Sequence, residues 1–227
     1  MKPSNCGNFD ANGYESCMSS KRHNMVQWVY SSKNNTELAQ RYDEWAASYD
    51  RDLDRDFGWS SPRKVVNALA KRVVSGARVL DAGAGTGIVG ELLHEMGFED
   101  LVAMDLSQGM LDEAAGKNIY KEHHRMAMGL SLDFPSDSFD GVASAGVFTV
   151  GHAPPGSFDE LVRVTRPGGY IVFSLRPDVY EANGFREKQS SLESEGKWRL
   201  VEEGWKYRPM PKGEPEVYHL VWVYRVL

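Results

Sequence analysis

Val79-Leu80-Asp81-Ala82-Gly83-Ala84-Gly85-Thr86-Gly87 is the stretch that decides the fold. Val79 and Leu80 close a short apolar run that reads as a strand, and Ile88 to Met96 reads as the helix that follows, stopped by Gly97. Between them the glycines make a tight turn. Gly83 and Gly85 let the backbone approach a bound ligand where a side chain would collide. The helix start after Gly87 offers free N–H groups to a negatively charged group. A dinucleotide fingerprint, G-x-G-x-x-G, needs a third glycine at position 88, which is Ile88, so that pattern fails. D-x-G-x-G-x-G fits, with Asp81 two residues before Gly83.

An acid at Asp81 would repel a pyrophosphate but suits a ligand bearing an ammonium group. S-adenosylmethionine carries both an ammonium and a carboxylate on its methionine end. The bland reading of such a turn, an ordinary strand–helix connection, weakens when a second signal is added. Met104-Asp105-Leu106-Ser107 closes the next apolar run, Leu101–Met104, about twenty residues beyond the turn. A carboxylate there accepts hydrogen bonds from both hydroxyls of a ribose. Asp105 would otherwise be a helix cap, but Ser107 already supplies one. Leu106 is then expected against the adenine face.

Outward from this core, strands and helices alternate. A helix led by Ser107 carries Met110, Leu111 and Ala114 and ends near Gly116. A third strand is expected at Arg125–Met128 and a fourth from Phe139 to Phe148. Ser157-Phe158-Asp159-Glu160 has capping-box spacing, Pro167-Gly168-Gly169 is expected to end that helix, and Tyr170–Phe173 to form a fifth strand. Trp198–Tyr207 and Val217–Val226 read as two long antiparallel strands. The last is apolar on both faces and is expected inside the sheet. The predicted fold is therefore α/β: a Rossmann-like three-layer sandwich with a seven-stranded, mostly parallel sheet and an antiparallel C-terminal strand.

Upstream, Leu38, Tyr42, Trp45, Tyr49 and Leu53 fall on one helical face, and a second helix follows Ser61 with Pro62 in its first turn and Val66, Leu69 and Val73 on one side. Residues 1–35, rich in Ser, Asn and Gly, read as a flexible tail, and residues 36–227 as one domain whose N-terminal helices occupy 36–75.

Composition narrows the function. With 227 residues and 41% hydrophobic residues, the chain suits one ordered domain. A formal net charge of -6 disfavours a dedicated nucleic-acid binder. Cys6 and Cys17 form no C-x-x-C pair, and the six histidines show no zinc-ligand spacing, since His123 and His124 alternate across a strand; no metal is expected. The opening residues lack an apolar run and no stretch approaches a membrane span, so a cytoplasmic protein is expected, with the nucleus as the alternative.

These residues resemble the class I S-adenosylmethionine-dependent methyltransferases from about Thr36 to the C-terminus. Tyr42–Asp50 looks like the opening helix of the small-molecule subgroup, Leu132–Val142 like the family's run into its fourth strand, and Leu161–Gly169 like the helix and turn before its fifth. Tyr42–Asp50, Asn118-Ile119-Tyr120 and the loop ending at His152-Ala153-Pro154-Pro155 together resemble the methyltransferase-like protein 27 family. The resemblance implies methyl transfer from S-adenosylmethionine, leaving S-adenosylhomocysteine, to a small molecule or a protein. It implies cofactor contacts at Tyr49, Asp81, Gly83, Ala84, Gly85, Gly87, Asp105, Leu106, Met128, Gly129 and Ala145, and a lid formed by the opening helix. One departure stands out: where many members place an acid for the adenine amino group, this chain has Met128, so adenine would be held by backbone groups and apolar contacts. A sulfonium is drawn to aromatic faces, which suits Tyr49. His152, in the loop after the fourth strand, is the one candidate base; a solvated loop histidine is the alternative reading. No N-P-P-Tyr string follows that strand, which counts against adenine or glutamine acceptors. Two rival functions remain at this level: a non-catalytic cofactor-binding module acting through a partner, and a nicotinamide dehydrogenase, which Ile88 disfavours.

Overall fold

The computed structural model describes residues 25–227. A seven-stranded sheet in the order β3-β2-β1-β4-β5-β7-β6 runs through it. Its strands are β1 (Arg78–Ala82), β2 (Asp100–Asp105), β3 (Glu122–Arg125), β4 (Phe139–Phe148), β5 (Thr165–Leu175), β6 (Trp198–Glu203) and β7 (Leu220–Val226). The first five pair in parallel, and β7 inserts antiparallel between β5 and β6. The expected fold class is thus the observed one, with β7 alone running against the other strands.

Helices cover both faces. On one side lie α2 (Ser61–Ala70), α3 (Ile88–Glu95) and α4 (Gln108–Gly116); on the other α5 (Ser157–Val164), α6 (Pro177–Ala182) and α7 (Phe185–Ser194). Strand β7 shows why its sequence is apolar throughout: Leu220, Trp222 and Tyr224 enter one core, Val221 and Val223 the other. Aromatic stacking adds to area burial on the first side, where the Trp198 and Tyr224 rings lie 3.9 Å apart.

A third apolar cluster sits above the carboxyl ends of the strands. It is built from α1 (Asn35–Arg51), capped by the Asn34 side chain on Glu37 N–H, the π-helical segment Asp52–Phe57, and Met210 from the β6–β7 connection. Of the apolar stripe read from sequence, Leu38, Trp45 and Leu53 are buried here, with Tyr42 and Tyr49 half-buried beside them.

Several expectations are corrected. Residues 25–30, assigned to the tail, are helical, and Val26 and Val29 are 4% and 1% exposed in this third cluster. Two valines three apart suffice to dock one short helical face, which composition alone conceals. The rest of the expected tail, with Cys6 and Cys17, lies outside the described residues. Strand β3 is Glu122–Arg125, not Arg125–Met128. As the edge strand it is half-exposed and polar, whereas apolar Met126 and Met128 belong to the loop beyond it. Helix α5 ends at Val164, before Pro167-Gly168-Gly169; that triplet bulges within β5, where the register jumps from Phe139–Thr165 to Gly141–Tyr170. The capping box does not form: the Glu160 carboxylate accepts from Leu132 N–H at 2.7 Å and pairs with Arg163 at 2.7 Å. The C-terminal strands are shorter than expected, joined further out by a single bridge between Tyr207 and His219. Helices α6 and α7 were not anticipated; α7 buries only Phe185, Gln189 and Leu192 and is otherwise polar.

Candidate functional site

The strand order reverses between β1 and β4, and the crevice at that switch point, beyond the carboxyl ends of the strands, is where open α/β sheets bind ligands. The glycine turn lies there. Gly83 and Ala84 donate their N–H groups to Met104 O at 2.8 and 2.9 Å, which ties the turn to β2. The glycines then divide their work. A Cβ on Gly83 would stand 2.2 Å from Val147 Cγ2, so this position serves the close approach of β4. Gly85, at φ +55°, has nothing within 4 Å of its would-be Cβ and faces open space.

Asp105 fastens this arrangement. It is 8% exposed, its Oδ2 accepts from Gly85 N–H at 2.8 Å, and its Oδ1 accepts from Ser107 N–H at 2.9 Å. Burial raises its pKa, and the backbone bonds act against that rise by favouring the charged form. Each oxygen keeps a lone pair for a further donor.

The cleft these elements enclose has a volume of about 830 Å³, its open mouth included. Of the expected cofactor contacts, Tyr49, Gly83, Ala84, Gly85, Asp105, Leu106, Met128 and Ala145 line it, and so does His152. Asp81, Gly87 and Gly129 do not. Asp81 lies behind the turn, 1% exposed, where Tyr120 Oη donates to its Oδ2 at 2.6 Å while accepting from Gly90 N–H at 3.1 Å. Its Oδ1 is buried without a partner among the described residues, and burial pushes its pKa up to about 7. Gly87 caps α3 in a left-handed conformation against Tyr120 and Ala114. Gly129 packs on Pro154, whose Cγ would sit 2.5 Å from a Cβ there. Thr86, Met126, Ala127, Gly146, Val147, Tyr42 and Trp59 line the cleft without having been named as contacts from the sequence. The alternation Met126-Ala127-Met128 carried that signal but was absorbed into a strand expectation.

Helix α1 roofs the cleft and is held there by two carboxylates. Asp43 accepts from Ser107 Oγ at 2.5 Å and from Gly109 N–H at 2.8 Å, at the start of α4. Asp50 accepts from the Thr86 hydroxyl in the glycine turn and from Lys117 Nζ at 2.8 Å, and Lys117 also reaches Glu91 at 2.5 Å.

Similarity to known proteins agrees with this geometry. Residues 80–173 match the methyltransferase domain family. Methyltransferase-like protein 27 of Homo sapiens is 31% identical over 172 residues, 71% of this chain and 69% of that protein. The chain belongs to the class I S-adenosylmethionine-dependent methyltransferases, alongside methyltransferase-like protein 27. Demethylmenaquinone methyltransferase of Clavibacter sepedonicus is 36% identical over 68% of this chain, which spans only 65% of that relative's length. A TehB-like S-adenosylmethionine-dependent methyltransferase of Corynebacterium glutamicum shares the fold at a TM-score of 0.60, with 21% identity over 82% of this chain and 98% of that one.

The loop after β4 holds His152 in one defined tautomer. Its Nδ1 lies 2.9 Å from Val150 O, a pure acceptor, so Nδ1 carries the proton. Nε2 then accepts from Tyr42 Oη at 2.8 Å. Burial lowers the His152 pKa, which keeps the ring neutral at pH 7. The histidine is therefore packed against α1, with Tyr30 and Tyr42 edge-on to its ring, and is not a solvated loop residue. Among the described residues no cluster of three or more His, Cys, Asp or Glu could hold a metal, and no helix is long and apolar enough to cross a membrane.

Proposed function

We propose that this chain binds S-adenosylmethionine in the cleft, without a metal, and transfers its methyl group to a small-molecule acceptor. The carrying observation is Asp105: a nearly buried carboxylate, fixed by Gly85 and Ser107 N–H groups, facing a cleft beside a glycine that leaves ligand-sized space. It fits a ribose diol. Leu106, Met126 and Met128 present an apolar surface suited to an adenine ring, replacing the acid that many members carry. Tyr42, Tyr49 and Trp59 offer aromatic faces to a sulfonium.

The cofactor supplies a methyl group on a leaving group that departs as a neutral thioether. The chain's share is then mostly positioning: holding the acceptor in line with the methyl and excluding water beneath α1. An acceptor that must lose a proton can pass it to Tyr42 Oη as that hydroxyl gives its own to His152 Nε2, since the two are already bonded at 2.8 Å. A relative named for demethylmenaquinone supports a small-molecule acceptor.

Calorimetric titration in chelator-treated buffer tests the reading. S-adenosylmethionine and S-adenosylhomocysteine should both bind, and NAD should not. Folded protein that gives no heat with either sulfur ligand refutes it.

A further inference from the structure

Behind the cofactor cleft lies a second chamber that the methyl-donor site does not use. Tyr42, Tyr49, Trp59 and Gly146 line both spaces, so the two adjoin there. The far side is closed by Val26 and Val29 from the helical segment at residues 25–30, by Leu53 and Met210, and by His219 just before β7. Its volume is about 440 Å³ with the open solvent at its mouth included.

His219 is the chamber's anomaly. It is 3% exposed, and among the described residues neither ring nitrogen has a hydrogen-bond partner. Buried polar atoms are normally satisfied, and an unmet one has a cost that a ligand can remove. Burial, with Arg176 nearby, depresses its pKa to about 3, so the ring is a neutral donor and acceptor. The charges nearest to it cancel: Arg176 Nε and Nη2 reach Asp178 at 2.9 and 2.6 Å. Trp45 also lines the chamber, and its indole N–H is already spent on Asp52 at 2.9 Å. Flat aromatic walls, a lining without any charged residue and one open imidazole specify an occupant.

We infer that this chamber is the acceptor site, and that it takes a flat, uncharged molecule whose far end carries a hydroxyl bonded by His219. The inference rests on the methyltransferase reading above. His219 lines the second chamber and not the cofactor cleft, so it acts as a specificity residue that orients the acceptor from the end remote from the methyl group. No bond is made or broken there. An acceptor bearing a carboxylate would need a cation that Arg176, committed to Asp178, does not offer.

The test is calorimetry with four probes of one shape, run with and without saturating S-adenosylhomocysteine: 2-naphthol, naphthalene, 2-naphthoate and protonated 2-(aminomethyl)naphthalene. Wild-type protein should bind 2-naphthol at least tenfold more tightly than the other three. His219→Phe, which keeps a ring but no polar atom, should lose that tenfold preference while binding naphthalene undiminished; His219→Gln should keep most of it. S-adenosylhomocysteine affinity should change less than twofold in both variants. The inference falls if 2-naphthol fails to bind, if either charged probe binds more tightly, or if His219→Phe weakens all probes equally or none. Failure of S-adenosylhomocysteine itself to bind would count against the cofactor reading alone, because the probe series is then decided on the free protein.

Discussion

Replacing Asp105 by alanine should move two quantities at once, and their sizes follow from what the carboxylate touches. In the free protein it accepts from Gly85 N–H and Ser107 N–H. Gly85 faces the cleft, where water can take over its donor; Ser107 is fully buried, and its N–H is left unmet. One buried unmet donor costs about 1–3 kcal/mol. At roughly 2–4 °C per kcal/mol for a domain of this size, the melting temperature should fall by about 2–12 °C. With cofactor present, the same substitution removes a charge-assisted contact to the ribose hydroxyls, worth about 1.5–3 kcal/mol, or roughly ten- to 150-fold in Kd. The fold is retained but not untouched, a distinction the sequence could not make. Titration with S-adenosylhomocysteine well below the lower melting point, beside a thermal melt of the free protein, separates the two effects. A lower melting temperature with Kd within twofold of wild type would refute the ribose role and leave Asp105 as a tie between the glycine turn and α4.

Helix α1 should exchange its amide hydrogens faster than the Val79–Leu80 strand in free protein, and protection across residues 37–53 should rise on cofactor binding much more than in that strand; equal protection in both states would make it a permanent core helix. Tyr49→Ala should weaken cofactor binding with little change in the free protein's melting temperature, as Tyr49 is half-buried between the two spaces; equal affinity would remove it from the site. Asp81, with a folded pKa near 7 against about 3.9 unfolded, holds its proton more tightly when folded, so its contribution is greatest below pH 4 and is lost as pH rises to 7, up to about 4 kcal/mol. Asp81→Asn should flatten that slope in urea unfolding between pH 4 and 8, and an unchanged slope would show that Asp81 does not titrate in that range. If the Tyr42–His152 pair takes the acceptor's proton, kcat should be level above pH 6.5 and fall below it as the imidazole charges, and Tyr42→Phe should lower kcat at every pH; a Tyr42→Phe enzyme with wild-type kcat would exclude the relay.

The parallel core of the fold could be read because each strand there is announced by neighbours in sequence. Leu101–Met104 and Phe139–Phe148 are apolar because helices cover both faces, and the turns after them carry glycine or a capping serine. Where that rule fails, so does the reading. Strand β3 is an edge, so Glu122 and His124 are tolerated within it, and the residues that do look strand-like, Met126 and Met128, are apolar because they wall a cleft. Helix α7 hid for the opposite reason: Phe185, Gln189 and Leu192 anchor it, too few apolar positions to announce a period.

The two halves of the site differ in the same way. The residues proposed to hold the cofactor sit at the ends of β1, β2 and β4, where backbone geometry forces glycine or a carboxylate at fixed spacing, so Gly85 and Asp105 stood out. Even there, spacing gave position without direction. Asp81 has the right place in the motif, yet its side chain turns under α3 to Tyr120, and only the burial of both groups shows that it supports the turn from behind. The second chamber has no such grammar. Val29, Tyr42, Leu53, Trp59, Met210 and His219 come from segments spread over 190 residues, and each taken alone is an ordinary core residue. What marks the chamber is a mismatch visible only in three dimensions: apolar walls that would suit a dry core, closed over an imidazole whose two nitrogens find no partner among the described residues. A core evolved for stability alone would replace His219 by an apolar ring of similar size, since leaving it unmet costs free energy. An unmet imidazole at this place is the expected signature of a site whose hydrogen-bond partner arrives with the ligand.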